Sequence, residues 1–132
     1  MIKTTETVIE FTNKLCETLR ENYRQYRIAS HRHYIAKGDN VDYHKEQIDE
    51  LCMGNGVPEF TITKGKKYLK VIMKDYNQSS AHLFVDQTNG DVFKPKNWRS
   101  PSLNGVRYNL LDDKSRKEMY KRADWAGLYL YK

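Results

Sequence analysis

The chain has little of what marks a secreted, membrane-spanning or metal-held protein. Two cysteines in 132 residues make no disulfide framework. Cys16 and Cys52 both fall in helical patterns with apolar neighbours, the setting of buried thiols in a reducing compartment, although a single Cys16–Cys52 bridge stays open. No apolar run approaches the ~20 residues a membrane span needs. The opening segment, residues 1–11, lacks the apolar stretch of a secretory signal. There is no internal repeat and no low-complexity tract. The expectation is a soluble, intracellular protein with no membrane partner, folded as one domain without metal or disulfide help, since a chain of this length buries roughly two thirds of its unfolded surface.

Absences also narrow the chemistry. His31, His33, His44 and the two cysteines show none of the paired spacings of a metal site, and His31 and His33 beside Arg32 are expected on the surface. No Gly-x-Ser-x-Gly elbow is present, and Cys16 has no marked activating neighbour in sequence. Gly54-x-Gly56 is too short for a phosphate loop and lacks its lysine. Asp86 and Asp91 bracket a turn. The expectation is a non-enzymatic protein with no cofactor and no metal.

What is present is charge of one sign in one half. Residues 1–59 hold 8 basic and 10 acidic side chains, whereas residues 60–132 hold 15 basic and 7 acidic, so the net +6 arises wholly in the second part. A field of that sign favours polyanions or an acidic protein face. Mean hydropathy is −0.86, yet ten tyrosines and 12% aromatics set the chain apart from disordered sequences.

Periodicity gives the architecture. Val8, Phe11, Leu15, Leu19, Tyr23 and Tyr26 recur at three- and four-residue steps and predict a helix over residues 5–29. Residues 30–42 break the pattern, with turn chemistry at Gly38-Asp39-Asn40. A second helix is expected from Tyr43 to Met53, capped by Asp42 and ended by Gly54-Asn55-Gly56. Strands are expected at Phe60–Thr63 and Tyr68–Lys74 around a tight lysine-rich turn. After a polar loop, Tyr76–Ser80, two more follow at Ala81–Asp86 and Asp91–Lys94. In the second strand Leu69, Val71 and Met73 share one face and Tyr68, Lys70, Ile72 and Lys74 the other. The Asn89-Gly90 step supplies the positive φ of a hairpin turn, and Pro95 ends the ladder. Val106–Leu110 is a candidate short edge strand. Asp112 or Asp113 caps a final helix, Lys114–Ala123, and the apolar tail Trp125–Tyr131 folds back on the body. The prediction is an α+β fold: a helical part (1–56) packed on a four-stranded antiparallel sheet with its loop (57–111), then a short C-terminal helix and tail (112–132).

The chemistry that remains is that of a binding surface. Single-stranded nucleic acid is held by cations along its backbone and by aromatic rings under its bases. Lys66, Lys67, Lys70, Lys94, Lys96, Arg99 and Arg107 are candidates for the first role, with Lys64 near them; Trp98 and Tyr108 are candidates for the second, with Tyr68 and Phe93 as further rings. Trp98 and Phe93 have an alternative as core or lid residues under the 95–111 segment. No RNP-type aromatic motif is present.

The stretch Asp86-Gln-Thr-Asn-Gly-Asp91-Val-Phe-Lys94-Pro-Lys-Asn-Trp98-Arg-Ser-Pro101, followed by Arg107-Tyr-Asn109-Leu-Leu-Asp112, resembles a block shared by small uncharacterised bacteriophage proteins. That block runs Asp-x-x-Thr-Gly-Asp-Val-Tyr-Lys-x-x-Ser-Trp-Lys-x-Pro, then Arg-x-Asn, two hydrophobic residues and Asp. The likeness covers residues 67–112, with Asn89, Phe93, Asn97 and Arg99 as departures. It implies a phage-encoded accessory or virion-associated protein acting in the host cytoplasm or the particle, and it carries no activity. Two roles are therefore expected in order: nucleic-acid binding through the outer sheet face and the 94–108 segment, or a protein–protein role as inhibitor of a host or defence factor or as a minor virion part. Homo-oligomerisation is left open.

Overall fold

A computed structural model describes residues 2–131. The chain runs α1 (Ile2–Lys37), α2 (Val41–Cys52), β1 (Glu59–Lys64), β2 (Tyr68–Asp75), β3 (Gln78–Asp86), β4 (Asp91–Phe93), β5 (Tyr108–Asn109) and α3 (Asp113–Arg122), and ends in a 3₁₀ turn at Leu128–Leu130. The architecture is α+β as the sequence predicts: helices first, then an antiparallel sheet, then a short helix. The sheet has five strands in sequential order rather than four. The fifth is a remnant of the expected edge segment, in which Tyr108 pairs with Val92 and Asn109 with Asp91.

α1 is longer than its apolar stripe suggested, at 36 residues and about 54 Å. Its first half lays Val8, Leu15, Cys16 and Leu19 into the core; Thr12, also buried, returns its hydroxyl to the Val8 carbonyl at 2.7 Å. Its second half packs on α2 instead, through Ile28 and His31, both buried. The sequence pattern broke at residue 30 because His31 counts as polar. In place, its ring lies in the α1–α2 seam, tilted against His44 with the two Nδ1 atoms 2.7 Å apart, so it is buried between the helices, which corrects the surface assignment for His31, while His33 is exposed. Gly38 (φ 78°) and Asn40 (φ 43°) then turn the chain, and α2 starts at Val41, before the expected Asp42 cap. On α2, Leu51 faces inward; Cys52, one position round the helix, is exposed. Only Cys16 is a buried thiol, and both cysteines are free.

The expected loop at Tyr76–Ser80 is a two-residue turn. Asp75 pairs with Gln78, Tyr76 sits at φ 56°, and β3 begins at once. The ladder between β2 and β3 slips between Val71 and Ile72, where Leu83 and Ala81 are the partners on either side. This bulge turns His82 inward beside Leu83. Leu69, Val71, Leu83, Val85 and Val92 line the inner face, fully buried, under α1, Met119 of α3 and the C-terminal tail. The tail folds back as expected. Trp125 N–H donates to Asn22 Oδ1 at 3.0 Å and its ring meets Tyr23 edge-on, while Tyr129 and Leu130 enter the core.

Candidate nucleic-acid interface

The outer face of the sheet is built by parity. Lys70 of β2, Phe84 of β3 and Phe93 of β4 form one row across three strands, with Tyr68 beside it meeting Phe84 and Phe93 edge-on at 6.3 and 6.1 Å. Phe84 and Phe93 are nonetheless buried, because the segment after β4 returns over them. Ser102 N–H donates to the Lys94 carbonyl at 2.8 Å, and Pro95 bridges Pro101. The Trp98 carbonyl accepts from Lys70 Nζ on β2 at 3.0 Å. A chain leaving β4 and touching β2 must cross β3, so residues 94–102 roof the row at Phe84. Asn97 holds the tip of this roof: its Oδ1 accepts from Arg99 N–H, Ser100 N–H and the Ser100 hydroxyl. An Asx turn of this kind is within the repertoire of Asn and, more weakly, of Ser.

Exposed cations and rings lie both on the roof and at the β1–β2 turn. The Lys70 ammonium sits 3.8 Å from the centroid of the Trp98 ring, and Trp98 is 45% exposed. Trp98 is thus a lid residue with an open side, not part of the core. Lys67 lies 5.5 Å from the Tyr68 ring. Lys66, Lys67, Lys96 and Arg99 are exposed. Among the described residues the ion pairs are Arg24–Glu21, Arg116–Asp113 and Arg122–Glu118, all within helices, so no carboxylate neutralises these rim cations by direct pairing.

Three predicted site residues, Tyr108, Lys94 and Arg107, are held differently. Tyr108 is 2% exposed and donates its hydroxyl to the Tyr129 carbonyl at 3.0 Å. Its partner in the ladder is Val92, an inner-face residue, and parity sends Tyr108 to the core. Burial also raises its pKa. Lys94 follows Phe93 by one residue and so leaves on the opposite side, where its ammonium lies 4.7 Å from the Tyr131 ring. Arg107 is half-buried, its backbone N–H bound to the Val92 carbonyl at 2.7 Å. The structure therefore brings Lys70 and Trp98 together, leaves Lys96 and Arg99 exposed on the same segment as Trp98 and Lys66 and Lys67 exposed in the β1–β2 turn, and takes Lys94 and Tyr108 to the core side.

The sequence reading missed Asn109. Its Nδ2 donates to the Asn89 carbonyl and to Asp91 Oδ1, and its Oδ1 accepts from Leu111 and Asp112 N–H. It ties the β3–β4 turn to the approach of α3. Asp86 does the same inside the turn, accepting from the N–H and hydroxyl of Thr88. Within the Asp86–Asp112 block, Asp86, Asn97 and Asn109 thus hold turns and the roof. His82 and Tyr129 are a second missed pair, sharing a buried 2.8 Å hydrogen bond. Burial pushes His82 down to about 4 against a weaker upward pull from Asp124, and it pushes Tyr129 well above its usual value. Burial likewise raises the Cys16 thiol to about 11, the thiolate being disfavoured there.

Among the described residues, no three His, Cys, Asp or Glu side chains converge on a metal position, and no helix is long and apolar enough to cross a membrane. No curated protein sequence and no solved structure matches the chain. One family does match, over residues 1–132, and the chain belongs to it: the family of unknown function DUF7717.

Proposed function

We propose that this chain is a phage-encoded, non-enzymatic accessory protein that binds single-stranded nucleic acid along the rim formed by Lys66, Lys67, Lys70, Lys96, Trp98 and Arg99. The observation that carries the reading is the Lys70–Trp98 pair: a half-exposed indole with an ammonium 3.8 Å from its centroid. The lysine occupies one side of the ring and leaves the other for a base, while its charge and those of Lys96 and Arg99 are placed for the phosphates on either side. Fixing the indole through the Lys70–Trp98 carbonyl bond removes part of the ordering cost of stacking.

Fluorescence anisotropy with a labelled single-stranded oligonucleotide tests this. Binding should fall steeply with salt as counterions are released, and Lys66→Glu with Lys67→Glu should weaken it strongly. Trp98→Ala should cost about 1–3 kcal/mol of binding. No binding at ~50 mM salt to either single- or double-stranded probes removes the proposal.

A further inference from the structure

We propose that the unpaired edge of β3, residues 78–82, accepts an extended acidic peptide of a partner protein as an added strand. β3 pairs with β2 from Gln78 to Asp86, but β4 pairs with it only at Phe84 and Val85. Among the described residues, 78–81 have a ladder neighbour on β2 alone, and the bulge residue His82 has none on either side. The cause is local: Pro95 has no N–H to continue the ladder and turns instead into its bridge with Pro101.

Sheet edges are normally guarded by charge, proline or a covering group. The outer edge of the sheet at β1 follows that rule, with Glu59 and Lys64 at its ends and the Arg20 guanidinium donating to the Phe60 carbonyl at 2.8 Å. The segment Gln78-Ser79-Ser80-Ala81-His82 has no proline, no Lys and no carboxylate. Two shallow depressions of about 330 and 320 Å³ flank it, and both include Ser80, Ala81 and Pro95 in their walls. One lies on the core side, against Lys94, Trp125 and Tyr131; the other lies on the outer side, against Lys96 and Trp98. An added strand drops alternate side chains to opposite faces, and here each face offers an aromatic wall and a lysine. Tyr131 is 69% exposed beneath Lys94. Apolar residues interleaved with carboxylates fit both depressions. A second copy of this chain fits poorly, because pairing β3 with β3 brings the lysines of two +6 chains together.

The test uses the full chain and a fluorescein-labelled peptide of alternating Glu with Val or Leu, about seven residues long to span the edge. Two companions accompany it: the same peptide N-methylated at alternate amides, and one with Lys in place of Glu. Binding of the first, with both companions at least roughly tenfold weaker and slowed amide exchange at residues 79–82, supports the proposal. Lys94→Glu should weaken the acidic peptide by roughly tenfold and leave oligonucleotide binding unchanged, since Lys94 is off that rim; loss of oligonucleotide binding alone therefore does not touch this inference. Equal binding by the N-methylated peptide, protection at β1 instead of β3, or no binding at about 1 mM peptide overturns it.

Discussion

The two faces of the sheet are closed by different means. The inner face is aliphatic, Leu69, Val71, Leu83 and Val85, and is sealed by whole elements: α1, α3 and the tail. The outer face is aromatic and cationic, and it is closed by a single irregular segment folding over one row of side chains. Adjacent residues on β3 show the contrast. Leu83 is 0% and Phe84 is 3% exposed, so the two are equally dry, yet one lies under a helix layer and the other under the 94–102 roof. Burial alone does not distinguish a core from a lid. What distinguishes them is how many independent groups must move to expose them.

That comparison is open to a direct attack. Leu83→Ala should destabilise the fold by roughly 2–5 kcal/mol, the range for truncating a buried leucine that leaves a cavity. If the roof is packed as tightly as the helical layer, Phe84→Ala should cost about 3–5 kcal/mol. Urea midpoints of the two variants decide. A cost for Phe84→Ala below about 1 kcal/mol would mean that the roof collapses onto the gap and is a soft lid rather than a second core.

His82 breaks the aliphatic uniformity of the inner face, and it does so by pH. The folded protein holds it neutral, with its pKa near 4 against an ordinary 6.5. The unfolded chain takes up a proton first as pH falls. The stability that comes from keeping it neutral is therefore complete above pH 6.5 and is lost between about 6.5 and 4. The total loss is about 3 kcal/mol for a shift of this size at a site so buried. Denaturant titrations at pH 7 and pH 4.5 should show most of that drop, and His82→Gln should flatten it. An unchanged slope in the variant would assign the acid sensitivity to other groups.

The inner face was legible in the sequence because it obeys short-range rules. Alternation in β2 and the three-four spacing of Val8, Leu15 and Leu19 each need only neighbouring residues to be read. Three things were not legible. The extension of α1 through residue 37 depended on His31 finding His44, a partner in another helix. The inward turn of His82 depended on a one-residue bulge, which inverts parity without any mark in composition. The fate of Lys94, Trp98 and Tyr108 depended on which side of the ladder each falls, and alternation predicts that only once the register with Val92 and Phe93 is known. Hence the cationic, aromatic character of the segment could be read, but not which residues meet: Lys70 and Trp98 do, whereas Lys94 and Tyr108 lie elsewhere.

Gly90 stands where the two faces join. Its φ is 78°, and a Cβ placed there would lie 3.0 Å from Leu111 Cγ and 3.2 Å from Leu111 N. Gly90→Ala should cost about 1–2 kcal/mol from the left-handed backbone alone, with the close approach to Leu111 adding to it. Thermal unfolding measures the cost. The Asn109 ties should loosen with it, so hydrogen exchange at Leu111 and Asp112 should quicken in the variant. Exchange unchanged there would show the turn and the α3 approach to be independent.

The smallest effect on stability is expected at Trp98, and that is where the comparison becomes sharpest. Truncating an inner-face residue removes contacts that several elements share. Trp98→Ala removes a half-exposed ring whose described partner is the Lys70 ammonium, an interaction worth about 0.5–1 kcal/mol at an exposed site. The backbone bond from Lys70 to the Trp98 carbonyl survives the change, and Asn97 still holds the turn. Stability should therefore fall by less than about 1 kcal/mol, while oligonucleotide affinity falls by the larger stacking contribution of about 1–3 kcal/mol. Unfolding and anisotropy measured on the same preparation separate the two. A large loss of stability with unchanged binding would make Trp98 a structural pin for the roof, and would move any contact surface away from the Lys70 rim.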